Sequence, residues 1–397
     1  SSKYGKCPVS FSINTSFSRS EFFSISFSGL YLANLFKDNK NYQVTIYEKK
    51  NSIDVREGYG IQLAINSVQF LNRLGFNSLS EDEKFNPKKI DFYEIKNKKK
   101  ICELGISKFN SENIKYTTLK RSKLIQFLIR GLKDEIIKYN YSINRIEYEN
   151  DLINLTFDNG EKGKYDYLVI SDGVFSKGKS LISNNQSKPT YNNAIAIRGT
   201  ILKEDLQNIN DENISLFLGS DFHYVVYPLN KEKNFNFIGI LKHKLTNNEE
   251  KNLKLFEEKI FLKNIRSKLS QKISPLIFEK LQHIKLFPVF VSKHLFNPPK
   301  NIFLVGDAFF AFPPSFAQGA SQSIEGANEL YESIINNSNF FDIRSKKVKM
   351  INRRSNFNQF AFHLSNPIMI FLRNSSLKFL TKNEMFLENY LGKIYKN

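Results

Sequence analysis

Two periodicities alternate along this chain. In LYLANLFKD, Leu32, Leu35 and Phe36 return at helical spacing, and the apolar run VTIYEKK behind them reads as a strand closing on Glu48. A strand around Phe22 to Ile25 is expected before them, which makes a βαβ unit. Val68, Leu71 and Leu74 predict a helix from about Asn66 that stops at Gly75, and Leu124, Phe127, Leu128 and Leu132 predict another. A β-meander follows, turning at Asp158-Asn159-Gly160 and closing with the buried-type strand Tyr167 to Ile170. NAIAIRGTIL, NISLFLG, FHYVVYPLN and FNFIGILK pattern as a separate antiparallel sheet. Beyond it, Ile302 to Val305 reads as a strand. The chain then bends at Pro313-Pro314 and enters a helix through Gln318-Gly319-Ala320. Helical periodicity continues from about Ser333 to Tyr395, broken at Asn366-Pro367.

This order predicts a mixed α/β (α+β) protein: a Rossmann-like domain, an interleaved antiparallel-sheet domain and C-terminal helices. Residues 21–80, 101–180 and 286–365 are assigned to the first, 81–100 and 181–285 to the second, and 366–397 to a C-terminal helical segment. Residues 1–20 are Ser-rich and are expected to be a disordered extension, without the apolar core of a secretory signal.

Charge changes the picture little. The formal net charge is +19, but the lysines are scattered, and clusters such as Lys96 to Lys100 carry no interleaved aromatics, so a nucleic-acid module is not expected. Cys7 and Cys102 supply neither a disulfide framework nor a metal-ligand spacing, which points to a cytoplasmic protein without a metal. No apolar run reaches the ~18 residues of a spanning helix. PIMIFLRNSSLKFL is amphipathic and basic, so core packing and contact with a membrane surface both stay open.

The chemistry gathers at turns. The βαβ unit carries Ser24-x-Ser26-x-x-Gly29 where dinucleotide-binding turns carry three glycines, and Glu48-Lys49 stands where a carboxylate accepts hydrogen bonds from a ribose. Arg56 lies in a loop that places it either on the surface or near a cofactor. Arg121 opens a helix, where the dipole disfavours a cation unless an anion is near. Asp172-Gly173 ends a parallel strand, as a ligand contact or as a helix cap. Gly306-Asp307 follows a strand directly, and Pro314, Gln318, Gly319 and Ala320 form the loop and helix start beyond it. Arg198, His223, Tyr227 and Pro313 are the side chains expected at a substrate pocket. For His223, in an aromatic strand, hydrogen-bonded packing is the alternative.

Taken together these segments resemble the class A flavoprotein monooxygenases, the aromatic hydroxylases related to 4-hydroxybenzoate and salicylate hydroxylases. GDAFFAFPPSFAQGASQSIEGANEL is similar to the family pattern G-D-A-x-H-x-x-x-P-x-x-x-Q-G-x-x-x-x-x-E-D-A, and Arg198-Gly199 and HYVVYPL resemble its salicylate branch. The resemblance implies FAD, with Asp307 on the ribityl chain and Pro314 to Gly319 along the isoalloxazine. It implies NAD(P)H as reductant, and a flavin C4a-hydroperoxide that hydroxylates a phenolic or aryl-acid substrate with O₂. Phe310, Gly326, Lys179, Ser24 and Ser26 depart from the pattern. No residue is assigned as catalytic. Two readings stay beside this one: a quinone-biosynthesis hydroxylase or flavin reductase of the same fold at the membrane, and a non-enzymatic relative with impaired FAD binding.

Overall fold

The computed structural model describes residues 9–14, 26–53, 59–184, 187–206, 209–231, 234–270, 272 and 275–396. Along the chain, β1 (Val9–Asn14), α1 (Phe27–Phe36) and β2 (Tyr42–Glu48) come first, then β3 (Gly60–Leu63), α2 (Ile65–Asn72) and β4 (Lys84–Phe85). Next are β5 (Lys89–Glu94), β6 (Lys100–Gly105), β7 (Thr117–Lys120) and α3 (Arg121–Arg130). The meander is β8 (Ile137–Tyr139), β9 (Ile143–Glu149), β10 (Leu152–Phe157), β11 (Lys162–Tyr165) and β12 (Tyr167–Ile170), with α4 (Lys177–Ile182) behind it. The antiparallel strands are β13 (Thr190–Leu202), β14 (Ile214–Gly219), β15 (Phe222–Pro228) and β16 (Asn234–Lys242). Helices α5 (Asn247–Lys251), α6 (Lys259–Ser270) and α7 (Pro275–Lys280) precede β17 (Gln282–Val291) and β18 (Ile302–Leu304). Three long helices follow: α8 (Gly319–Ile335), α9 (Phe340–Phe362) and α10 (Pro367–Leu380).

The strands form two main sheets. One is parallel and five-stranded, in the order β18-β12-β1-β2-β8; the other has seven strands, in the order β17-β13-β16-β15-β14-β5-β6. A smaller sheet, β3-β7-β4, packs beside the larger one, and Gly60 N–H donates to Asn236 Oδ1 on β16 at 2.6 Å. The mixed α/β architecture matches the expectation. Residues 101–105, assigned by sequence to the first domain, lie instead in the larger sheet, because β6 pairs with β5 there.

The first strand corrects the N-terminal expectation. Residues 9–14 are not part of a disordered extension: β1 pairs in parallel with both β2 and β12 and so stands at the centre of its sheet. Val9, Phe11 and Ile13 alternate with Ser10, Ser12 and Asn14, a period of two hidden by the serine-rich composition. The strand expected at Phe22 to Ile25 lies outside the described residues.

Helix α8 is held from both sides by a buried polar network. Glu325, with no exposure, accepts from Asn66 Nδ2 on α2 at 2.6 Å and from Gln322 Nε2 at 2.7 Å, and it pairs with Lys347 Nζ on α9 at 2.6 Å. Arg344, also buried, donates to Gln322 Oε1 at 2.7 Å and to its carbonyl at 2.8 Å. It fills the space beside Gly326, where a Cβ would lie 3.0 Å from Arg344 Nε, so the position at which the family pattern carries an aspartate here packs against a cation.

Removing one partner of a buried ion pair strands the other in a low-dielectric interior. Lys347→Met is therefore expected to lower stability by about 3–5 kcal/mol in urea unfolding of the full chain. A loss below about 1 kcal/mol would mean the pair behaves like a surface contact.

Candidate active site

Three strand-end turns and the start of α1 gather at one edge of the parallel sheet. β2 ends at Glu48, β12 ends two residues before Asp172, and β18 ends two residues before Gly306; α1, which carries Gly29 in its first turn, follows β1. Because β18, β12, β1 and β2 are neighbours in that order, the turns after β18, β12 and β2 lie at the carboxyl ends of adjoining strands, where open α/β sheets bind ligands. Val305 N–H donates to Ile170 C=O at 3.0 Å and fixes two of them together.

Gly306 makes a close approach in this cluster. Its φ of +60° lies in the left-handed region, and a Cβ there would sit 3.0 Å from Ser28 Oγ on α1 and 3.2 Å from Ser323 Oγ on α8. Two helix N-termini thus converge on the Gly306-Asp307 turn, and Gly319, at the start of α8, shares a crevice with Asp307. Asp307 is set deep among protein atoms yet stays accessible, as a side chain lining a cleft does, and desolvation raises its carboxyl to about 6.

Cations face the same region. Arg121, the first residue of α3, lies over the ring of Phe27, the first residue of α1, at 5.1 Å, and its backbone N–H donates to Tyr59 C=O at 2.9 Å. Arg198 lies over the Tyr59 ring at 6.0 Å. Desolvation pushes the Arg121 guanidinium down to about 10, and repulsion from Arg198 adds to it. Two like charges held together beside the positive end of α1 suit an anionic ligand. A dinucleotide diphosphate supplies that anion, and an open carboxylate at Asp307 suits ribityl hydroxyls; the residues present fit FAD.

Other expected cofactor residues are placed differently. Asp172 has no exposure, and its Oδ2 accepts from Gly178 N–H at 2.9 Å, so the carboxylate holds the start of α4. Burial raises it to about 6. Ser176 caps α4 by accepting from Lys179 N–H at 2.9 Å. Glu48 is buried and accepts from Lys50 N–H at 2.9 Å, curling over its own turn, while Lys49 is exposed. Gln318 is buried and accepts from Gln322 Nε2 at 3.2 Å. Ser26 Oγ lies 2.5 Å from Ser28 Oγ. Ser24 and Arg56 lie outside the described residues.

A second cavity, of about 200 Å³, opens between the large sheet, the Pro314 loop and the C-terminal helices. Phe92, Leu216, Val225, Phe316, Phe362 and Leu377 give it an apolar wall, and among the described residues no Lys, Arg, Asp or Glu lines it. Pro314 to Ala317 separate it from the Asp307 crevice; Ala317 holds φ at +52°, a strained position for a residue with a Cβ. Of the expected substrate residues, His223 lines the cavity. Tyr227 lies four residues along the same strand, beside Gln62, which accepts from Tyr116 OH at 2.7 Å. Arg198 shares that sheet face, two strands from Val225, but faces Tyr59 and Arg121 rather than the cavity. Pro313 is buried behind the loop, whose Pro314 takes the lining position.

His363 was not legible in sequence. It stands at the C-terminal end of α9, and its Nε2 lies 2.7 Å from His223 Nδ1. Burial holds both imidazoles below the ordinary value: His223 well below it, with repulsion from His363 adding, and His363 down to about 4. Both are neutral at pH 7.

No family model matches the chain. Two curated proteins of Streptomyces platensis, the 3-amino-4-hydroxybenzoate 2-monooxygenases PtnB3 and PtmB3, are 23% and 22% identical to it over 350 residues, which span 84% of this chain and 86% of each relative. The structure of Klebsiella pneumoniae HpxO complexed with FAD and uric acid aligns at a TM-score of 0.80 and 14% identity, covering 98% of this chain and 96% of that one. A salicylate hydroxylase substrate complex aligns at 0.75 and 15% identity, over 98% and 96%. The chain has the fold of the class A flavoprotein hydroxylases. The resemblance read from the Gly306-Asp307 motif therefore extends to the whole chain. In this hydroxylase fold, Phe310 stands where the family pattern has histidine and is buried against Phe312 at 6.0 Å between centroids.

Asp307→Ala is expected to weaken FAD binding by roughly tenfold to a hundredfold, the value of a hydrogen bond to a charged group, measured by quenching of flavin fluorescence. FAD binding by the unaltered protein should also weaken as pH falls through about 6, because protonation removes the charged acceptor that ribityl hydroxyls would use. Unchanged affinity in the variant would place the ribityl chain elsewhere.

Proposed function

We propose that this protein is an NAD(P)H- and FAD-dependent monooxygenase that hydroxylates a small neutral phenol with O₂. The observation that carries the reading is the juxtaposition of the Asp307 cleft with an uncharged apolar cavity across the Pro314 to Ala317 loop. FAD, when bound, supplies hydride acceptance from the nicotinamide and the activation of O₂. The chain supplies position, dryness and a proton acceptor.

Size and polarity select the substrate class. An apolar cavity of ~150 Å³ takes up benzene, so about 200 Å³ suits one ring with small substituents. Among the described residues no cation lines the cavity, so an entering carboxylate would be desolvated without a partner, which favours a phenol over an aryl acid. This separates the chain from PtnB3 and PtmB3, which are named for a hydroxybenzoate substrate. The apolar wall keeps water from the reacting ring.

His223 is the residue on the cavity wall suited to take the phenolic proton. Burial disfavours a charge on either imidazole, so His223, 2.7 Å from His363, would pass the phenolic proton on to its partner rather than hold it, along a path that leads outward toward the charged pair Asp221 and Lys242. Removing that proton enriches the ring for electrophilic attack. His223→Phe is expected to lower kcat by roughly a hundredfold, in the range of a lost general base, with FAD affinity unchanged. The measurement is NAD(P)H oxidation coupled to product formation, across neutral phenols and matched benzoates. Preference for the benzoates, or a variant as active as the parent, would overturn the assignment.

A further inference from the structure

The outer surface of the C-terminal helices is apolar where a helix normally meets water. On α10, Ile368, Phe371, Leu372 and Phe379 are 70%, 69%, 51% and 68% exposed, and they recur at helical spacing on one stripe. Phe357 and Phe360, near the end of α9, are 61% and 60% exposed. This corrects the core-packing alternative for PIMIFLRNSSLKFL: Arg373 is buried and Leu377 and Leu380 turn to the cavity, while the larger apolar side chains face out. A contiguous patch of this kind marks an interaction site.

Charge decides what covers it. Between Ile343 and Asn383 the sequence has nine Lys and Arg and no Asp or Glu. Arg344 and Arg373 are buried, and Lys347 and Arg354 are engaged inward, but Lys346, Lys349, Arg353, Lys378 and Lys382 are exposed. Lys346, Lys349 and Arg353 run along α9 toward Phe357 and Phe360, and Lys378 and Lys382 flank Phe379. The acids nearest α10 are already engaged, Glu94 by Asn374 and Glu103 by Lys89 and Lys100. An apolar stripe bearing five exposed cations therefore matches an anionic bilayer surface, whose acyl boundary takes the rings while its headgroups take the lysines. A second copy is disfavoured, because a two-fold contact would set the same cations against each other.

We propose that α10 and the end of α9 dock on an anionic lipid bilayer. The cavity lies directly beneath, with Phe357 shared by cavity and patch, so docking would present its entrance to lipid-dissolved phenols. That last consequence rests on the proposed hydroxylase activity; the docking does not.

The test is co-sedimentation of the full chain, loaded with FAD, with neutral phosphatidylcholine vesicles and with vesicles also containing phosphatidylglycerol. Binding should rise roughly tenfold or more on the anionic vesicles and fall with added salt. Phe371→Ser with Phe379→Ser, at two exposed positions, should abolish it while leaving flavin binding intact. Lys378→Glu with Lys382→Glu should weaken the anionic preference. Absence of binding to anionic vesicles at low salt would overturn the proposal. So would a concentration-dependent dimer in sedimentation velocity that the Phe371→Ser, Phe379→Ser variant dissolves, which would make a second copy the occupant.

Discussion

The parallel pairing of β12 with β18 is the constraint on which the cleft depends. Its register matches Leu168, Val169 and Ile170 to Ile302, Phe303 and Leu304, so both chains leave the sheet at the same level. Val305 N–H then bonds Ile170 C=O, and Gly306 turns with a positive φ into a space where a Cβ would crowd Ser28 Oγ and Ser323 Oγ. A slip of one residue would turn each strand's buried side chains to the opposite face and would carry Asp307 away from the α1 N-terminus. Placement of a distant acid beside the first βαβ unit is thus a property of sheet register, as is common to open α/β sheets.

The buried network on α8 serves the same end from behind. Glu325 joins α2, α8 and α9 through Asn66, Gln322 and Lys347, and Arg344 adds a second tie. The helix whose N-terminus faces the cleft is therefore fixed at its middle, and Gly319 and Ser323 have little freedom relative to Gly306. On the other side, Ala317 keeps the Pro314 loop in a strained left-handed turn that divides cofactor cleft from cavity. Strain held by surrounding structure is commonest where a ligand is positioned.

Much of this was legible in the sequence, and the rest has physical reasons for being hidden. The helices at Leu32, Val68 and Leu124 and the strand at Tyr167 follow from periodicity, and the break at Asn366-Pro367 is a residue-level signal that the N-cap of α10 obeys. Gly306-Asp307 stood out because a strand followed by an acidic turn and a proline loop is a rare order. β1 was missed since serine at alternate positions looks like a low-complexity tail until its partners are known. The His223–His363 contact joins residues 140 apart, and no local pattern encodes it. For Asp172 the structure adds the bond from Gly178 N–H at the start of α4, a contact that sequence spacing does not reveal. The apolar stripe on α10 has the spacing of a core helix, so periodicity alone gives its existence but not the side it faces.

A crystal structure of the full chain grown with FAD tests the central claim most directly. The account predicts flavin density along the carboxyl edge of the parallel sheet, with the diphosphate at the α1 N-terminus near Arg121, the ribityl chain on Asp307, and the isoalloxazine against Pro314 to Ala317. Density for FAD at any other surface, or an edge that stays free of flavin at saturating concentration, would contradict it.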